Sequence, residues 1–159
     1  MKLKNTLLVT ADMDRAVSFY QQVLGLHVVA DFGANKTLTG GLCLQTLGTW
    51  TDFIGTPDVS FGGRDAELYF EADDFDRFAE KLEQFSPDLV HPVLEHAWGQ
   101  RAVRFFDPDK HIIEVAESLR TVCQRFLDSG MTPEQTAERM DIPLKSVKAL
   151  IRLKEAGDG

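Results

Sequence analysis

The chain is poor in the features that announce specialised protein classes. Its 159 residues hold only two cysteines, Cys43 and Cys123, too few and too far apart for a disulfide framework or a zinc knuckle. A reduced, cytoplasmic setting is the expectation. No apolar run approaches the roughly 20 residues that a membrane span requires, and Met1-Lys2-Leu3-Lys4-Asn5 opens onto too short an apolar stretch for a secretory leader. Positive charge is scarce as well: 17 Lys and Arg face 25 Asp and Glu, a net charge of −8. That deficit is local. Residues 1–117 carry 10 basic against 19 acidic side chains, whereas residues 118–159 carry 7 against 6. An acidic body repels phosphate, which disfavours nucleic acid as the main partner. With 43% hydrophobic and 26% charged residues, what is left is one ordinary globular domain with a short appendage.

Self-similarity is the informative feature. Asp12-Met13-Asp14-Arg15 recurs as Asp74-Phe75-Asp76-Arg77, an offset of 62. Each copy follows a short apolar strand-like segment (Leu3 to Thr10, Ala66 to Ala72). Each also opens a helix, with Asp12 and Asp74 placed to cap the first turn. Apolar stripes follow: Ala16, Val17, Tyr20, Val23 and Leu24 up to Gly25, and Phe75, Phe78, Ala79, Leu82 and Phe85 up to Pro87. Three alternating runs come after each helix: Leu26 to Phe32, Lys36 to Leu38 and Leu42 to Leu47, then Leu89 to Leu94, Arg101 to Phe106 and His111 to Ala116. The order is β-α-β-β-β, twice. The expected architecture is α+β, with two βαβββ modules (about 1–50 and 63–117) pairing their sheets around a cavity. The stretch Gly48 to Asp65 reads as the linker between them.

Two segments carry a family resemblance. Asp12 to Leu26, with Phe19-Tyr20 and Leu24-Gly25, is similar to the first-helix pattern of the vicinal oxygen chelate superfamily (glyoxalase, bleomycin-resistance and extradiol-dioxygenase-like proteins). Trp98-Gly99-Gln100-Arg101 through Phe106-Asp107-Pro108-Asp109-Lys110-His111-Ile112-Ile113-Glu114-Val115 resembles its closing hairpin. The resemblance spans residues 1–117 and implies fold more than reaction, because the superfamily includes isomerases, dioxygenases and binding proteins. It also implies a homodimer and a small-molecule ligand. In metal-dependent members four strands each supply one ligand. Here those positions fall on Asn5, Gln45 (give or take two residues), Glu67 and Glu114. Two amides and two carboxylates contain no imidazole, a departure from the usual transition-metal set. A divalent ion with oxygen ligands is the metal-bearing version of the site. A metal-free pocket in which the same four residues touch the ligand is the other.

Turn geometry at Asp107-Pro108-Asp109 makes Arg104 the cross-strand neighbour of Glu114, able to neutralise it. Tyr69 shares the face of Glu67, and Cys43 that of Gln45. Trp50 and Trp98, with His96 beside the latter, are further candidate ligand contacts, while His111 reads as an exposed residue beside the turn. The first functional reading is a protein that binds, and in some versions transforms, a small organic molecule. If it is an enzyme, Glu67 or Glu114 is the general base and Arg104 the partner of a developing oxyanion. Such an enzyme would be a lyase or isomerase of the lactoylglutathione lyase type, or a dioxygenase.

The last forty residues read as helices: Ser118 to Asp128, a second from Thr132 (N-cap) with Pro133 at N1 and Gln135 at N3, and a third after Ile142-Pro143. The latter two resemble a helix-turn-helix, with Asp141 where glycine is usual. A DNA-associated regulator acting through Lys145, Lys148, Arg152 and Lys154 is the third reading; packing against the body or a subunit is the alternative for these helices.

Overall fold

The computed structural model describes residues 1–157, with side chains placed through residue 152. Its strands form two four-stranded sheets. The first contains β1 (Thr6–Thr10), β2 (Val28–Asp31), β3 (Asn35–Leu38) and β4 (Leu42–Thr46), in the order β1-β4-β3-β2. The second contains β5 (Glu67–Ala72), β6 (Leu89–Glu95), β7 (Arg101–Phe106) and β8 (Ile112–Glu117), in the order β5-β8-β7-β6. The second order is the first advanced by four strands, so the repeat in the sequence is a repeat in topology. The expected α+β architecture of two βαβββ modules with C-terminal helices is what the structure shows.

The two helix starts form as their sequences dictate. Asp12 accepts from Arg15 N at 3.0 Å ahead of α1 (Met13–Leu24), which ends on Gly25 in the left-handed region at φ 71°. Asp74 accepts from Arg77 N at 3.1 Å ahead of α3 (Phe75–Phe85). Helix α1 buries Ala16, Tyr20 and Val23. Helix α3 buries Phe75 and Leu82, and its Phe78 ring lies 6.3 Å from Phe105 of β7. In both sheets the helix covers one face, leaving alternate strand residues on the other.

Two strands are clearly shorter than the apolar runs suggested: β1 begins at Thr6 rather than Leu3, and β2 covers Val28–Asp31 rather than Leu26 to Phe32. The supposed linker is partly helical, with α2 at Leu47–Ile54 ending on Gly55 at φ 69°. Gly48, Thr49 and Thr51 are weak helix formers, which hid this helix from sequence reasoning. Its Trp50 is half-buried and its Phe53 exposed.

Internal contacts group Phe106–Ile112 with the first sheet's unit, and the Asp107-Pro108-Asp109 turn shows why. Asp107, 3% exposed, accepts from Tyr20 Oη and His111 Nδ1, both at 2.8 Å, and from the backbone N–H groups of Asp109 and His111. Asp109 accepts from Thr10 Oγ1 at 2.5 Å and from Ala11 N at 3.1 Å. Two buried carboxylates are therefore hydrogen-bonded on both oxygens, as burial of charge demands. His111 is consequently part-buried and bound to Asp107, not a free surface residue as its position beside a turn suggested.

Three helices follow the second sheet: α4 (Leu119–Asp128), α5 (Pro133–Met140) and α6 (Leu144–Gly157). They share a core of Val122, Cys123, Phe126, Ala137, Met140 and Val147. The capping box of Thr132 and Gln135 is present, and Asp141 takes the left-handed conformation at φ 54°. No helix among the described residues is long and apolar enough to cross a membrane.

Candidate functional site

The face of the second sheet opposite α3 gathers more of the candidate residues than any other surface. Its register follows from two bonds. Ser118 N donates to Ala72 O at 3.0 Å, which in a parallel ladder sets Ala72 opposite Glu117 and, counting back, Tyr69 opposite Glu114. Across the next pair of strands, Arg104 Nη2 donates to Glu114 Oε2. The cross-strand pair expected from the turn is thus formed. Next again, His91 of β6 stands opposite Arg104, whose Nη1 lies 3.2 Å from His91 Nε2. The other ring nitrogen of His91, Nδ1, is 2.7 Å from Pro92 O. Nδ1 must carry the proton in that contact, which leaves Nε2 to accept from the guanidinium. Tyr69, Glu114, Arg104 and His91 therefore form a row across all four strands.

A second chain of contacts lies alongside. Tyr69 Oη donates to Glu71 Oε1 at 2.9 Å and accepts from Gln100 Nε2 at 3.0 Å. Gln100, 5% exposed, also donates to Glu117 O at 2.8 Å and accepts from Trp98 Nε1 at 2.9 Å. The Trp98 indole stacks on His96 with centroids 4.3 Å apart and planes 7° from parallel. Tyr69 and Trp98 stay 50% and 38% exposed, so hydrogen bonds fix their polar ends while their rings face outward.

These surroundings shift three groups. Burial, with the Glu71 and Glu114 charges adding to it and the Gln100 hydrogen bond opposing, lifts the Tyr69 phenol to about 12. Burial, then the nearby Arg104 and His91, lowers His96 from the ordinary imidazole value. The Asp76 hydrogen bond, against the opposing effect of burial, raises Arg101 further above its already high value.

The remaining candidates lie elsewhere. Gln45 is 3% exposed on β4. Its Oε1 accepts from Asn35 Nδ2 at 2.8 Å and its Nε2 donates to Thr49 Oγ1. Asn5 precedes β1 and donates to Gly41 O at 3.3 Å. Glu67 opens β5, exposed, on the Tyr69 side of the strand. Because Thr10 pairs with Thr46 as Ala72 stands opposite Glu117, the first-sheet counterpart of Glu114 is Cys43, within the two-residue margin placed on Gln45. Its cross-strand neighbour is Thr37, whose Oγ1 is 3.4 Å from Cys43 Sγ.

Most of the four-residue metal set is already engaged. Both ends of the Gln45 amide are occupied, Glu114 is held by a guanidinium, and Asn5 offers a single amide. Among the described residues no group of three or more His, Cys, Asp or Glu is placed to hold a metal. Sequence reasoning missed Gln100 and Glu71 as parts of the network, and neither left a local signal.

Comparison with known proteins gives the family. A model of the glyoxalase-like domain matches residues 3–120. A protein of unknown function from Agrobacterium tumefaciens C58 is 36% identical, with a TM-score of 0.68 over 75% of this chain and 95% of its own. A lactoylglutathione lyase from Agrobacterium tumefaciens is 25% identical, with a TM-score of 0.58 over 74% of this chain and 93% of its own. A glyoxalase/bleomycin resistance protein/dioxygenase from Nocardioides is similar in fold at 21% identity, with a TM-score of 0.62 over 75% and 84%. No curated protein matches the chain. With three quarters of its length matched and the doubled βαβββ topology in place, this chain belongs to the glyoxalase-like domain family of the vicinal oxygen chelate superfamily.

Proposed function

We propose that this chain is a binding member of its family, holding a flat, positively charged organic molecule against the face of its second sheet opposite α3. The observation that carries this reading is the aromatic surface formed by Tyr69 and the Trp98–His96 stack, locked from behind by Gln100. Pre-organised rings bind flat ligands at little entropic cost. The sign of the ligand follows from the local charges. Arg104 is matched by Glu114, while Glu71 stands exposed with its Oε1 accepting from Tyr69 Oη. A cation gains from that carboxylate and from the ring faces. The Arg104–Glu114 pairing also weighs against Glu114 as a general base, since a guanidinium already donates to its Oε2.

Titration with N-methylacridinium, followed by tryptophan fluorescence, tests the reading. Saturable binding of one molecule per chain is expected, weakened about 10-fold by Trp98→Ala. The anion 9-anthroate should bind at least as weakly as the cation does to that variant. Equal binding of cation and anion, or indifference to Trp98→Ala, overturns the assignment.

A further inference from the structure

The residue that presents the aromatic pair, Trp98, sits at the tip of the β6–β7 hairpin, and that tip is held by the C-terminal helices. The turn closes on itself through Gly99 N donating to His96 O at 2.8 Å and His96 N donating to Gln100 O at 2.9 Å. Its two outward carbonyls are each met by a guanidinium from a different helix. Arg125 of α4 donates through Nη2 to Gly99 O at 2.5 Å, and Arg139 of α5 donates through Nη1 to Ala97 O. Both guanidinium carbons lie 5.2 Å from the centroid of the Phe126 ring. That ring packs so closely on Gly99 that a β-carbon there would sit 2.3 Å from Phe126 Cζ. The guanidiniums are themselves oriented by carboxylates: Arg139 by Glu95 at 3.5 Å, and Arg125 by Glu117 at 3.1 Å. Glu117 is 1% exposed.

A hairpin tip left to itself frays, because its carbonyls hydrogen-bond equally well to water. Here two charge-assisted hydrogen bonds and an aromatic ring replace that water on Ala97 and Gly99, the two residues that flank Trp98. Arg125, Phe126 and Arg139 all fall outside the stretch that matches the glyoxalase-like domain, residues 3–120. The domain supplies the binding face, and the appended helices supply the restraint on its part-exposed indole.

We infer that the C-terminal helices serve the ligand site, with Arg125 and Arg139 as positioning residues that hold the Ala97–Gly99 tip so that Trp98 stays stacked on His96 and bonded to Gln100. This rests on the reading of the second sheet's face opposite α3 as the binding surface. It assigns the helical extension a task in ligand recognition that requires no partner of its own.

The test uses the full chain and two readouts that need no ligand. One is the indole N–H resonance of Trp98 in an ¹⁵N spectrum, assigned by its loss in Trp98→Phe. The other is the NMR titration of the His96 ring. In Arg139→Ala the Trp98 resonance should shift and broaden, and the His96 midpoint should rise toward the ordinary imidazole value as Trp98 moves off it. N-methylacridinium affinity should fall about fivefold through lost pre-organisation. Arg139→Lys, which keeps one donor for Ala97 O, should recover part of each change, which generalised destabilisation would not. Arg139 is part-exposed at the edge of its helix, so the fold should survive its truncation, and circular dichroism checks that it does. If the Trp98 resonance and the His96 midpoint are unmoved in folded Arg139→Ala, the positioning role is wrong. If they move as expected while the wild-type chain binds no N-methylacridinium, the positioning stands and the ligand reading fails.

Discussion

A β-carbon at Gly99 meets Phe126, and its φ of +87° lies where side chains are strained whatever the space. Both penalties act on Gly99→Ala, overpacking and left-handed strain, and together they should cost about 2–4 kcal/mol by urea unfolding. A cost under about 1 kcal/mol would mean that the tip and α4 can part easily, against the clamp described above. The two tyrosines offer a second check at this scale. Burial, with Asp107 adding to it, drives Tyr20 far up from 10, and Tyr69 is lifted to about 12. Both phenols titrate higher folded than unfolded, so the native state keeps protons that the unfolded chain releases. Stability should therefore fall as pH rises above about 10, and absorbance at 295 nm should show no tyrosinate at pH 10.5 before unfolding begins. Tyrosinate forming at the ordinary pH in the folded protein would contradict the hydrogen bonds assigned to Tyr69 and Tyr20. The pairing of Arg104 with Glu114 was legible in the sequence, because a turn of known chemistry fixes which residues face each other. The Gln100 network was not. Its members, Tyr69 and Trp98, are 29 residues apart in the chain and meet only through a buried amide that no local pattern marks.

At the scale of elements, caps were the reliable signals and weak helices the blind spot. Asp12, Asp74 and Thr132 each cap as their sequences announced, because a side-chain acceptor before an apolar stripe acts within one turn. Helix α2 escaped notice because its residues carry no such signal, and its only clear boundary is Gly55. Asp141 shows how a poor-looking residue fits. It adopts the left-handed conformation that closes α5, with φ 54°, at a cost glycine would not incur. Asp141→Gly should therefore stabilise the helical extension by about 0.5–1 kcal/mol and raise the melting temperature by a few degrees at most. A drop in melting temperature would show that the aspartate side chain does more than tolerate the turn. Helix α6 bears on the regulator reading. Lys145, Lys148 and Arg152 lie exposed on one side of it, and Lys154 lies outside the described side chains. Three phosphate contacts give a salt slope near −2.7, so duplex binding through α6 should fall about 40-fold between 50 and 200 mM salt. Against a net charge of −8, nothing useful should survive at the higher value. A labelled duplex still held tightly at 200 mM would revive the helix-turn-helix as a DNA-binding element.

For the whole molecule, the repeat was the most legible property, since an offset of 62 carries one capped helix onto the other and the two sheet orders then coincide. Function was far less legible, because the same topology leaves its two sheets with different chemistry. The cross-strand pair that is Arg104 and Glu114 in the second sheet is Thr37 and Cys43 in the first. This asymmetry bears on the metal question. A glyoxalase-type ion requires each module to contribute donors with lone pairs to spare, and deprotonated or imidazole donors at that. The first sheet offers a buried amide already bonded to Asn35 and Thr49 and a thiol beside a threonine. The second offers a carboxylate held by arginine. An ion that bound the native chain with a Kd near 10 μM would, at 1 mM, stabilise it by about 2.7 kcal/mol, enough to raise its melting temperature by several degrees. Zinc, nickel and manganese at that concentration should each shift the melting temperature by less than about 1 °C, and N-methylacridinium binding should be the same with and without a chelator. A shift of several degrees with one ion, abolished by Glu67→Gln, would show that the carboxylates of this chain recruit a metal despite the missing imidazoles.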